Sequence, residues 1–231
     1  MLARQMQYGG VVDFMAEWEA AYGDEIKKIA IFNPEITSKW TKAQIEKFVR
    51  IFYHARGHFH EFLWYLGNHA ENREVKRIVI DNIAEEFNGG AASHEQMYIE
   101  FAKSHDVDLT DEYVEGKTYV PEIQDFNKGH LRWLASHSAE HGFAAFSAYE
   151  RLDNVDYGSL AVLAESFGTS RKGLIFFNVH LKAQHFETTE GYLNEIWEKN
   201  SDLVRESFNF ITYHQLKMWR SLSALIERAN G

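Results

Sequence analysis

Apolar residues recur along most of this chain at intervals of three and four, the period of an α-helix, and few runs alternate as strands do. In "REVKRIVIDNIAEEF", for example, Val75, Val79 and Ile83 fall on one face. The pattern predicts a first helix over roughly residues 11–22 and a long one after Thr41, through "KAQIEKFVRIFYHARGHFHEFLWYLGNHA". Further helices open at Asn72 and Ser93, a run extends from Pro121 to Leu152, and Asp156, Thr169 and Ser201 head the rest. Thr41 and Ser93 each precede a glutamine three positions on (Gln44 and Gln96), the spacing at which a cap residue and its partner exchange hydrogen bonds. Pro121 stands where a first helical turn tolerates proline, and Pro34 is the only other one in the chain. Residues 105–120 read as the one long polar connection. With no internal repeat and no low-complexity stretch, the expectation is an all-α fold: a single compact bundle of seven to eight helices in one domain over residues 1–231.

Several faces that point to this core carry charge. Glu86 continues the line of Val75, Val79 and Ile83, and Glu150 that of Phe143 and Phe146 in "HGFAAFSAYERL". His180 follows Phe176 and Phe177 and precedes Gln184 and Glu187 in "LIFFNVHLKAQHFE". His94 begins a helix whose inner face runs through Met97, Tyr98 and Phe101. Any one of these groups alone is more often a cap or a hydrogen-bonded core residue. Several converging on one place are best explained by a cation between them, because a buried charge without a partner is costly. Glu85 aligns with Ile78 and competes with Glu86 for the inward position. His54 with His58, and His137 with His141, have chelating spacing but polar neighbours, which favours ordinary roles. His60, between Phe59 and Phe62, is harder to dismiss.

Composition narrows the chemistry. Twelve histidines and no cysteine leave His and carboxylate as the available metal ligands and remove thiolate nucleophiles, disulfides and sulfur-ligated clusters. A formal charge of −10 argues against nucleic acid or an anionic membrane as partner. No apolar stretch approaches the ~20 residues of a membrane span, and "MLARQMQYGG" lacks the apolar core of a signal peptide, so a cytoplasmic home is expected. The Glu-x-x-His pair of ferritin-type di-iron bundles occurs nowhere, nor does a nucleophile elbow, a phosphate loop or a His-Glu-x-x-His zinc helix.

In order along the chain, "NREVKRIVIDNIAEEFNGGAASHEQMYIEFAKSHDVD", "FAAFSAYERLD", "GLIFFNVHLKAQHFETTEGYL" and "QLKMWRSLSALIERA" resemble the heme-oxygenase-like helical proteins. That group includes thiaminase II, the pyrroloquinoline-quinone synthase, the chlamydial protein associating with death domains, and the heme-oxygenase-like di-iron oxidases. The resemblance spans roughly residues 45–228 and is nearest to the di-iron branch. The family's Glu before a Gly-containing break, with His at the next helix start, matches Glu86 and His94, and its Ala-Tyr-Glu helix matches Glu150. Its His-x3-Asp-x2-His helix matches at His180, but Gln184 and Glu187 replace the other two ligands. The resemblance therefore implies a metal set of Glu86, His94, Glu150, His180 and Glu187, with one site altered or completed by His185 or His60. A set of this kind suits Fe(II) or Mn(II).

What it implies further is a non-heme iron enzyme, with two Fe(II) ions or a mononuclear centre, that uses O2 to oxidise a small-molecule substrate such as an amino acid or fatty acid. Phe62, Trp64, Phe146 and Phe177 are expected to line a mostly apolar pocket, and the protein is expected to be a homodimer. Thiaminase II needs a cysteine that is absent, and a heme site would need a histidine near the start, where the first 53 residues have none. A metal-independent binding protein or oxidase of the same fold, or a non-catalytic interaction module, are the alternatives.

Overall fold

A computed structural model describes residues 10–88, 92–182 and 189–228. It contains α1 (Val11–Ile26), α2 (Pro34–Thr37), α3 (Lys42–His69), α4 (Arg73–Asn88), α5 (His94–Lys103) and α6 (Thr110–Val114). These are followed by α7 (Pro121–Ala135), α8 (Ala139–Ser166), α9 (Ile175–Lys182), α10 (Glu190–Lys199) and α11 (Ser201–Glu227). No strand occurs among the described residues.

Both capping boxes form: Thr41 Oγ1 accepts from the Gln44 amide and the Gln44 side chain accepts from Thr41, and Ser93 with Gln96 repeats the exchange. Asn72 caps α4 through the Val75 amide at 2.8 Å. Elsewhere the boundaries differ from expectation. The run from Pro121 to Leu152 is two helices, because Ser136, His137 and Ser138 interrupt it and Ser138 caps α8 through the His141 amide. Asp156 heads nothing; it lies inside α8. Thr169 also heads no helix, its hydroxyl meeting His105 at 2.8 Å, and α9 begins at Ile175. The polar link holds the short α6, and α10 is an additional helix before α11. These short pieces raise the helix count to eleven among the described residues without changing the bundle.

Three helices of 27 or 28 residues, α3, α8 and α11, form the frame. The most extensive packing is between α8 and α11, while α4, α5 and α7 lie against α3, and α9 bridges α8 and α5. Along α8 every residue from Gly142 to Glu150 is buried, so this helix is core on all sides and not amphipathic. Ala144, Ala145, Ser147 and Ala148 keep it thin enough for neighbours to approach on several faces. It ends at Gly168, whose φ of 86° suits glycine, with the Thr169 amide reaching back to the Ala164 carbonyl at 3.1 Å.

Asp156 ties this frame together. Tyr22 of α1 donates to its Oδ1 at 2.6 Å and Trp219 of α11 donates to its Oδ2 at 3.2 Å. Burial pushes the Asp156 carboxyl up to about 7 despite those two donors. The unfolded value is about 3.9, so the stabilisation by the protonated form is complete below about pH 4 and is lost as pH rises through the folded value. Asp156→Asn places an NH2 group opposite one of the two donors and costs about 1–3 kcal/mol at low pH. In urea unfolding, the gap between wild type and this variant narrows as pH is raised from about 4 to about 8.

Candidate metal centre

Four of the five expected ligands lie among the described residues. Glu86 sits in the last turn of α4, His94 is the first residue of α5, Glu150 lies mid-α8 and His180 near the end of α9. All four are buried. Glu187, with Gln184 and His185, lies outside the described residues. Glu85 is exposed, so Glu86 is the one that faces inward.

One ligand atom each of Glu86, His94 and His180 lie within 4.8 Å of one another. His94 Nδ1 is 2.7 Å from Glu86 Oε1, and the His94 and His180 ring centroids are 4.3 Å apart. His180 Nδ1 donates to the Phe176 carbonyl at 2.7 Å, which leaves the Nε2 lone pair for a ligand. Tyr157 stacks on the same ring, with centroids 3.9 Å apart and planes 9° from parallel, and so holds its orientation.

Electrostatics set the carboxylates apart. Burial would raise the Glu86 carboxyl, but hydrogen bonds from His60 and His94 and the Arg56 charge overturn this and hold it well below the usual range. His60 Nε2 is 3.1 Å from Glu86 Oε2, so His60 belongs to the site as a support for Glu86. Neither buried oxygen of Glu150 has a hydrogen-bond partner among the described residues. Burial, then the charges of Glu86 and Glu85, push its carboxyl well up. Burial and the nearby His94 bring His180 down to about 3, so its imidazole is neutral at pH 7. Glu150 lies outside the group of three within 4.8 Å, but a buried carboxyl that feels the Glu86 charge and has no hydrogen-bond donor among the described residues is an arrangement that a divalent cation resolves. The donor set, two nitrogens and carboxylate oxygens without sulfur, fits iron.

The other histidine pairs are not part of the centre. His54 meets Glu112 at 2.9 Å, and His137 and His141 both face Glu206, at 3.6 and 3.7 Å. His58 stacks on buried His130, with planes 7° from parallel.

A cavity adjoins the centre, with Glu86 and His180 in its wall. Its aromatic lining comes from Phe52, Phe59, Phe126, Tyr149, Tyr157 and Trp219. None of Phe62, Trp64, Phe146 and Phe177 lines it: three are fully buried core residues, and Trp64 is 51% exposed. Arg56 and Asp153, which periodicity did not single out, also line it. Asp153 was legible as the position one turn beyond Glu150. Arg56 gave no signal, because a cation in "FYHARGHF" reads as surface.

Solved structures show the same fold at low identity. A CADD-like protein of unknown function from Nostoc punctiforme PCC 73102 superposes with a TM-score of 0.73 at 15% identity, covering 94% of this chain and 98% of that one. A domain of unknown function with a heme oxygenase-like fold from Shewanella denitrificans OS217 gives 0.72 at 16% identity, with 91% of each chain covered. A TenA homolog from Pseudomonas syringae pv. tomato str. DC3000 gives 0.66 at 13% identity, covering 97% and 99%. No curated protein matches the sequence. Among the described residues no helix is long and apolar enough to cross a membrane. The profile of the iron-containing redox enzymes, however, matches residues 46–186, more than half of the chain and the stretch holding Glu86, His94, Glu150 and His180. On that match, and with this heme-oxygenase-like fold, the chain belongs to the iron-containing redox enzyme family.

Proposed function

We propose that this chain is a non-heme iron, O2-dependent oxidase or oxygenase acting on a small organic metabolite such as an amino acid or fatty acid. The observation that carries this is the convergence of Glu86, His94 and His180 within 4.8 Å, together with a buried Glu150 carboxyl that has no hydrogen-bond partner among the described residues. These four residues, with Glu187, would hold one or two Fe(II) ions, and the expected protein is a cytoplasmic homodimer. Iron bound there supplies the electron transfer to O2 that no side chain of the chain can perform.

The chain's own residues orient and protect this chemistry. The Phe176 carbonyl fixes the tautomer of His180, and Tyr157 fixes its plane. His60 positions Glu86 through its Oε2. Glu150, with no hydrogen bond to a described residue, can change its protonation or mode of contact without breaking one. The aromatic walls of the adjoining cavity exclude water from a bound substrate. A metal-independent reading draws support from Glu86, whose two oxygens already meet His60 and His94. It leaves the Glu150 oxygens unaccounted for.

Anaerobic Fe(II) titration of metal-stripped protein tests the proposal. Iron is expected to bind at about one to two equivalents per chain and to raise the unfolding temperature. Binding well below one equivalent, or binding unchanged in Glu86→Ala and His180→Ala, would sink the metal reading. The same charge analysis yields a second expectation. Glu150→Gln removes a buried acid next to Glu86, so it stabilises the metal-free protein by about 1–3 kcal/mol while weakening iron retention. Calorimetry of the stripped and loaded forms reads both halves.

A further inference from the structure

The wall of the cavity beside the centre carries a cation whose hydrogen-bond donors are unused among the described residues. Arg56 lies on α3 with only 5% of its side chain exposed, and it lines the cavity together with Glu86 and His180. Among the described residues its guanidinium makes no hydrogen bond. Its single ion-pair contact there, Glu86 Oε2, stands 3.9 Å away, beyond hydrogen-bond length. The group lies against the Tyr98 and Phe176 rings, 5.6 and 5.5 Å from their centroids, which fixes its plane. An arginine cannot shed its proton, so a guanidinium at a cavity wall with its donors unused is open to a ligand that takes them up. Its planar fork matches a carboxylate, which it can grip with two parallel hydrogen bonds.

We propose that Arg56 anchors the carboxylate of the substrate, so the cavity takes a small organic acid whose body lies among Phe52, Phe59 and Leu160. This deepens the oxidase reading, on which it rests for the position of the reacting centre. Arg56 is a binding residue, with no part in electron transfer. The lining offers further polar atoms: the Asp153 carboxyl, and Gln215 Oε1, which is buried and has no hydrogen-bond partner among the described residues. A ligand amine would find acceptors there, which separates an amino acid from a simple alkyl acid.

The test uses hexanoate, its neutral analogue hexanamide, and the matched amino acid norleucine, titrated calorimetrically into the full chain. Each is measured with metal stripped and again after anaerobic Fe(II) loading. Wild type is expected to prefer hexanoate over hexanamide by about tenfold or more in both forms, the increment of a charge-assisted pair. Arg56→Gln abolishes that preference and leaves the iron stoichiometry intact, whereas Arg56→Lys retains part of it. Tighter binding of norleucine than of hexanoate assigns the amino-acid source, and the reverse assigns the alkyl acid. Equal binding of hexanoate and hexanamide by wild type, or no binding of either, overturns the proposal even if the variants fail to fold. So does a preference that survives in Arg56→Gln but disappears on metal removal, since the metal would then be holding the carboxylate. Failure of iron binding is a separate result, because the carboxylate preference is read without metal.

Discussion

The constraint on which this structure turns is that acidic groups have been taken out of water faster than they have been paired. Glu86, Glu150 and Asp156 are buried, and Asp153 stands beside them on α8. The interior answers each differently. Asp156 receives two donors from α1 and α11 and becomes a structural tie. Glu86 is held ionised by His60, His94 and the charge of Arg56. Glu150 receives no hydrogen bond from the described residues. An open acid of this kind is unfavourable in a low-dielectric interior, and the proposed iron would relieve it.

The helices are arranged to create that place. α8 runs through the core with every face covered, which puts Glu150 where no water competes for it. α4 ends and α5 begins at the same wall, so Glu86 and His94, eight positions apart, meet at 2.7 Å. α9 packs on both α8 and α5 and brings in His180 from far along the chain. Core packing and site assembly are therefore one process: Phe176, part of the core, supplies the carbonyl that orients His180 and a ring beside Arg56.

Much of this was legible from periodicity and caps. Thr41, Asn72 and Ser93 announced their helices because capping is a local exchange of hydrogen bonds within four residues. The inward turn of Glu86, Glu150 and His180 was legible because a helix repeats its faces at a constant angle. The break at residues 136–138 and the interior position of Asp156 were not. A Ser-His-Ser stretch can continue a helix or cap a new one, and an Asp reads as a start signal until a distant Tyr and Trp claim it. The aromatic pocket was misjudged for a similar reason. Phe62, Phe146 and Phe177 are equally apolar whether they fill the core or face a void.

By itself, then, the sequence determined the helical class, most helix starts and the inward turn of Glu86, Glu150 and His180, since all of these follow from spacing along one chain. Only the tertiary structure decided which of them meet. It separated His54, His137 and His141, each matched to a glutamate of its own region, from the convergent set. It added His60 to Glu86 and set Arg56, without a hydrogen bond to the described residues, at the wall of the same cavity. These are pairings between residues distant in sequence, governed by distances of a few ångströms that no local pattern encodes.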